Sequence, residues 1–122
     1  MIKLTFCLRR LPTLSRAEFQ TYWHEHHAEL VRRHASTLRI RRYVQSHTFA
    51  DERLASVSEV RGGPADAFDG VAELWWDSVD DLIAVLTTPE GQAAGQELLS
   101  DEATFIDLAN SPLFFTKELR II

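Results

Sequence analysis

The 122-residue chain predicts a single α+β domain, an antiparallel sheet with helices on one face. Three observations carry that reading. Residues 1–9 alternate with a period of two, Ser15 opens a long amphipathic helix, and the elements run β, α, β, β, α, an added helix, β. Two βαβ halves sharing one sheet are the economical use of that order.

In the first strand, Ile2, Leu4, Phe6 and Leu8 face one way, with Lys3, Thr5, Cys7 and Arg9 opposite. Leu11-Pro12 ends it. Ser15-Arg-Ala-Glu18 has the form of a capping box, and the helix it starts is expected to reach about Ser36. At 100° per residue Phe19, Trp23, His26, Leu30 and His34 share a face, with His27 on its flank. Leu38 to Phe49 alternates again, with Tyr43, Gln45 and His47 on one side and Val44 on the other. Ala50 to Asp69 lacks a period and is expected to be a long mobile loop, with a turn at Arg61-Gly-Gly-Pro64. Gly70 to Trp76 is the third strand. Ser78 caps a short helix ending near Thr87, and Thr88-Pro89 starts another. Ser100 to Leu108 adds a helical turn or two, Asn110-Ser-Pro112 breaks it, and Leu113 to Ile122 is the last strand.

Helices on one face leave the other bare. Thr5, Tyr43, Gln45, Glu73, Trp75 and Phe115 are expected there, too apolar for water and too polar for a dry core. A second copy packed sheet to sheet would cover them, which predicts a homodimer.

Composition narrows the function. A net charge of −5 disfavours a general nucleic-acid binder, and the Arg32, Arg33, Arg39, Arg41 and Arg42 cluster reads as solvated surface. One cysteine, Cys7, allows no internal disulfide and suits a reducing cytoplasm. No leader pattern and no apolar run of membrane-spanning length appears, so no membrane partner is expected.

Of the five histidines, three lie between Phe19 and Leu30. His27 is the leading catalytic residue, because imidazole titrates near neutrality and Trp23 and His24 lie one turn away. The competing role is a core histidine locking helix to sheet. His26 reads as an interior residue, and His34 as a helix-end cation. His24 and His27 are spaced i, i+3, but His-Glu-His-His is not a zinc signature, so no metal is expected. Glu73, among apolar neighbours, is a second proton carrier or the partner of an arginine on the second strand. Tyr43 is placed to orient a substrate hydroxyl. Trp75 is placed to stack on a planar ring, with His24 and Trp23 also assigned to substrate binding.

Tyr22-Trp23 with His27-Ala28-Glu29-Leu30, Arg42-Tyr43-Val44-Gln45, Asp69 to Trp75, Asp101-Glu102 and Phe105-Ile106-Asp107 resemble, in order, the EthD family. The resemblance implies a ferredoxin-like fold that pairs into a dimeric α+β barrel, and His27 matches the histidine of the family's Tyr-Trp…His pattern. It also implies a functionally mixed family, with ether-degradation accessory proteins beside aromatic polyketide decarboxylases.

The resulting expectation is a cofactor-independent enzyme doing acid–base chemistry on an aromatic or polyketide-like molecule, by decarboxylation, dehydration, cyclisation or isomerisation. The alternatives are a non-catalytic hydrophobic-ligand binder or pathway accessory protein, and a cofactor-independent oxygenase.

Overall fold

A computed structural model describes residues 1–63 and 67–122. Strand β1 (Ile2–Leu8) lies at the centre of the sheet. It pairs antiparallel with β3 (Gly70–Trp76) on one side and β4 (Leu113–Thr116) on the other. β2 (Arg42–His47) flanks β3, giving the order β2-β3-β1-β4. That is the ferredoxin-like topology, and the predicted α+β class holds.

The first helical arm comprises α1 (Arg16–Tyr22), a π-helical turn (Trp23–His27) and α2 (Ala28–His34). Its start is fixed as the sequence indicated. Ser15 Oγ accepts from the Glu18 amide at 3.1 Å, and the Glu18 carboxylate accepts from the Ser15 amide at 2.9 Å. The π turn was not foreseen. The Ala28 amide reaches back five residues to the Trp23 carbonyl instead of four. In a regular helix each four-residue step drifts about 40° around the axis. The wider turn absorbs that drift, so Phe19, Trp23, His27 and Val31 are all buried while His26 is exposed. This corrects the assignment of His26 to the inward stripe.

After β2 a 3-10 turn (Glu52–Leu54) leads to α3 (Ala55–Glu59), so residues 50–63 are not structureless as expected. None of the residues in that turn or helix is buried. Gly62 takes the left-handed backbone (φ 67°) at the anticipated turn, whose Pro64 lies outside the described residues. Past β3, α4 (Val79–Leu86) is capped by Ser78. Thr88 caps α5 (Pro89–Glu102), with proline at its first turn. α5 runs unbroken to Glu102, absorbing part of the separate turn expected from Ser100.

Two apolar clusters form the core, the first joining helices to sheet and the second packing helices together against Tyr43 of β2. One unites Leu8, Phe19, Trp23, Ala72, Phe105 and Ile106; the other Leu30, Val31, Leu38, Val85, Ala94 and Leu98. Gly70 matters to the first, because a Cβ there would lie 2.4 Å from the Trp23 ring.

Register decides the faces. Pairs Ile2↔Trp76, Leu4↔Leu74, Tyr43↔Leu74, Gln45↔Ala72 and Leu4↔Phe115 share the helix side. Pairs Thr5↔Glu73, Lys3↔Trp75 and Val44↔Glu73 share the open side. Tyr43, Gln45 and Phe115 are therefore on the helix face, a correction to their expected place on the bare one. The strand alternation was read rightly, but alternation alone does not say which side the helices choose. β2 also begins at Arg42, because residues after His34 turn, with Arg39 in the left-handed region (φ 55°). β4 stops at Thr116, four residues long.

Candidate functional site

The arm and α5 meet at a cluster of titratable groups around His27. Asp101 Oδ2 lies 2.7 Å from His27 Nδ1. A carboxylate accepts, so Nδ1 carries the proton and Nε2 keeps its lone pair. Tyr22 OH donates to the other oxygen, Asp101 Oδ1, at 2.5 Å, and His26 stacks on the Tyr22 ring at 4.6 Å. Phe105 walls the imidazole at 5.1 Å between ring centroids.

Glu102 Oε2 sits 4.0 Å from His27 Nε2. Burial, with the Asp101 charge adding to it, pushes the Glu102 carboxyl up to about 7. Burial pulls His27 below the ordinary imidazole value, and the hydrogen bond and charge of Asp101 offset this only in part. A neutral imidazole thus faces a carboxyl that still holds much of its proton at neutral pH. A proton donor and a proton acceptor side by side are the two halves of general acid–base catalysis.

A second polar chain runs from this region to the surface. The Gln45 side-chain amide donates to the Trp23 carbonyl and to Tyr43 OH, both at 2.9 Å, and its oxygen lies 2.8 Å from His47 Nε2. His47 stacks on Trp23 at 4.5 Å and meets the edge of His24 at 6.0 Å. Burial, then the neighbouring His24, lowers the His47 pKa. Burial raises that of Tyr43, outweighing the hydrogen bond from Gln45 that acts to lower it. His24 and His47 line an open cleft of about 470 Å³ with Gln20, Thr21 and Glu25.

The structure therefore brings His27, Trp23, Tyr43 and His24 to one side of the sheet and leaves Glu73 and Trp75 on the other. Glu73 pairs with Lys3 at 2.7 Å, not with an arginine of β2 as the sequence suggested; Arg42, on the same open face, lies over the Trp75 ring instead. Trp75 is packed beneath Arg42 (4.7 Å) and Lys3 (5.5 Å), and its indole N–H donates to Glu118. Sequence reasoning assigned no role to Tyr22, Asp101 or Glu102. A signal existed: Ala94, Leu98, Asp101 and Glu102 are spaced i, i+4, i+7, i+8, which puts both carboxylates on the buried stripe of α5. Among the described residues, no group of three or more His, Cys, Asp or Glu side chains is placed to hold a metal ion. Among the same residues, no helix is long and apolar enough to cross a membrane.

Comparison with known proteins fits this architecture. The EthD domain model matches residues 11–109. An ethyl tert-butyl ether D (EthD) family protein from Bacillus halodurans is 21% identical, with 98% of this chain and 99% of that one covered and a TM-score of 0.63. An EthD-like protein from Ralstonia eutropha is 18% identical over 95% and 89% of the two chains, with a TM-score of 0.61. A dimeric protein of unknown function and ferredoxin-like fold from Bacteroides fragilis is 14% identical over 96% and 95%, with a TM-score of 0.58. At these identities the structures speak for the fold alone. No curated protein matches the chain.

Proposed function

The chain belongs to the EthD family, and from that premise we propose that it is a small homodimeric enzyme performing acid–base chemistry on an aromatic or polyketide-like carbonyl compound. The observation that carries the proposal is the facing pair of His27 Nε2 and Glu102 Oε2, 4.0 Å apart, with Nδ1 already committed to Asp101. His27 takes a proton from a carbon beside a carbonyl while Glu102 gives one to the carbonyl oxygen. The resulting enol leads to dehydration, cyclisation or isomerisation; in decarboxylation an enol forms instead when the carbon–carbon bond to the carboxylate breaks and CO2 leaves, with Glu102 protonating the carbonyl oxygen and His27 taking no proton from carbon. Asp101 fixes the tautomer and stabilises the imidazolium that forms. Tyr43 orients the substrate and Trp23 backs it, with Gln45 holding Tyr43 OH and the Trp23 carbonyl in place. Glu73 and Trp75, across the sheet, belong to the face that a second copy covers.

A second reading, a hydrophobic-ligand binder without turnover, takes His27 as a core histidine that locks the arm to α5, in keeping with a side chain that is only 6% exposed. One experiment separates the two. Wild-type protein and His27→Gln are incubated with a panel of aromatic β-keto acids and phenolic diketones, and products are followed by chromatography with mass detection. Catalysis predicts wild-type turnover that falls by roughly two to four orders of magnitude in the variant, with fold retained. Ligand retention without wild-type turnover selects the binder. Full activity in His27→Gln removes that residue from the site.

A further inference from the structure

Three side chains converge on one carboxylate. Asp101 Oδ2 lies 2.7 Å from His27 Nδ1, Asp101 Oδ1 accepts from Tyr22 OH at 2.5 Å, and His26 Nδ1 stands 3.7 Å from that same Oδ1. The shape of the arm explains why two neighbouring histidines reach one group. In a regular α-helix the fifth position after Tyr22 lies about 140° away around the axis. The π turn over Trp23–His27 spreads its hydrogen bonds over five residues, so positions 26 and 27 fall on either side of Tyr22's line along the arm. Both imidazoles therefore compete for Asp101, His27 from a side chain 6% exposed and His26 from one 64% exposed.

Tyr22 occupies the contested oxygen. Its ring stacks on His26 at 4.6 Å and is tilted against Phe105 at 5.0 Å, so packing sets the direction of its hydroxyl. Burial, then the hydrogen bond to Asp101, raises the Tyr22 pKa, so the phenol keeps its proton and donates. Thr104 Oγ1, the other side-chain oxygen near it, is 3.5 Å away, so Asp101 is the acceptor that the geometry selects. With the phenol on Oδ1, His26 Nδ1 stays roughly 0.5–1 Å beyond hydrogen-bond distance.

We propose that Tyr22 is a positioning residue for His27: its hydroxyl holds Asp101 Oδ1 against capture by His26 and so keeps the proton of His27 on Nδ1. The proposal rests on the acid–base reading of His27 above and names what sets its tautomer. Without the phenol the carboxylate is divided between two imidazoles. His27 then spends part of its time with the proton on Nε2, where it faces Glu102 as a donor and has no lone pair with which to take a proton.

Nitrogen NMR of protein labelled at its histidines reads the tautomer at pH 7, with the His27 signals assigned by their absence in His27→Gln. Wild type is expected to show His27 with its proton on Nδ1 alone. Tyr22→Phe keeps the ring against His26 and Phe105, and in it the Nε2–H form is expected to grow about five- to tenfold, the factor one hydrogen bond is worth. Adding His26→Phe removes the competing nitrogen, and the double variant is expected to return to the Nδ1–H form. A Tyr22→Phe spectrum like that of wild type overturns the proposal, and so does a double variant that keeps the mixture. Turnover of the aromatic β-keto acids named above is the second measurement. kcat is expected to fall in Tyr22→Phe and recover in the double variant with KM unchanged, whereas a change confined to KM overturns the proposal. The tautomer measurement needs no substrate, so it decides the matter even where no turnover is found. A wild-type His27 protonated on Nε2 removes the acid–base reading too, whereas a wild type on Nδ1 with Tyr22→Phe unchanged removes only the role of Tyr22.

Discussion

Replacing Glu102 with glutamine tests the acid half of the proposed couple without needing a substrate. The carboxyl ordinarily titrates at 4.5 and is pushed up to about 7 in the folded protein. Between those values the native state binds more protons than the unfolded chain, so stability falls as pH rises. The loss begins above pH 4.5, is largely complete once pH has passed 7, and then levels off. Each pH unit is worth about 1.4 kcal/mol, so the interval amounts to about 3 kcal/mol. Glutamine keeps the shape of the protonated carboxyl and cannot ionise. Urea unfolding of both proteins at pH 5 and pH 8 is the assay. Near pH 5 the two are expected to lie within about 1 kcal/mol of each other. At pH 8 the variant is expected to be more stable by about 3 kcal/mol. His27 titrates with the opposite sign, its folded pKa being lowered, but it is common to both proteins and largely cancels in the difference. Parallel stabilities at the two pH values would mean that Glu102 titrates as an ordinary carboxylate. The argument for a neutral acid beside His27 would then be lost.

Other outcomes follow from the packing. Asp69 is buried and accepts from the Arg10 amide (2.8 Å), the Arg10 guanidinium (2.5 Å) and Arg16 Nε (3.0 Å). Burial alone would raise its pKa, but these donors outweigh it and hold the carboxyl below its ordinary 3.8. Asp69→Asn is expected to cost about 2–3 kcal/mol near neutrality, less than a fully buried pair because both guanidiniums are partly exposed. Asp69's share of stability, present above pH 3.8, should disappear as pH falls through the folded value, read by acid unfolding of wild type against variant. Gly70→Ala puts a Cβ 2.4 Å from Trp23 Cζ3 and 2.8 Å from the Ser46 carbonyl, and is expected to cost about 1–3 kcal/mol or more in thermal unfolding. Ser15→Ala removes the capping box and should cost about 1 kcal/mol by urea denaturation, with the fold unchanged.

The parts of the fold written in local chemistry were legible. Ser15, Ser78 and Thr88 each cap the helix that the sequence assigned to them, because a cap needs only residues within three positions. Strand alternation was equally local, and β1 and β3 have the faces it implied. What failed was relational. Tyr43 and Gln45 alternate correctly, yet only pairing with Leu74 and Ala72 sets their side of the sheet. The π turn escaped because no residue in Trp23–His27 demands it; its bonding pattern keeps several buried side chains of the arm in one row. Asp101 meets His27 across 74 positions, a separation that no spacing rule reaches. His27 was singled out for its chemistry, and the groups that define that chemistry came from α5.

His27, Tyr22, Asp101 and Glu102 all belong to one chain, carried by two neighbouring helical elements. A homodimer built on this protein therefore holds two self-sufficient units instead of one shared centre. Genetic complementation should fail as a result. Chains bearing His27→Gln mixed with chains bearing Glu102→Gln give hybrids in which neither unit is whole, and no activity should return. Wild type diluted with either defective chain should lose activity in simple proportion to its share. A centre assembled across the two-fold axis would instead recover activity in the hybrids.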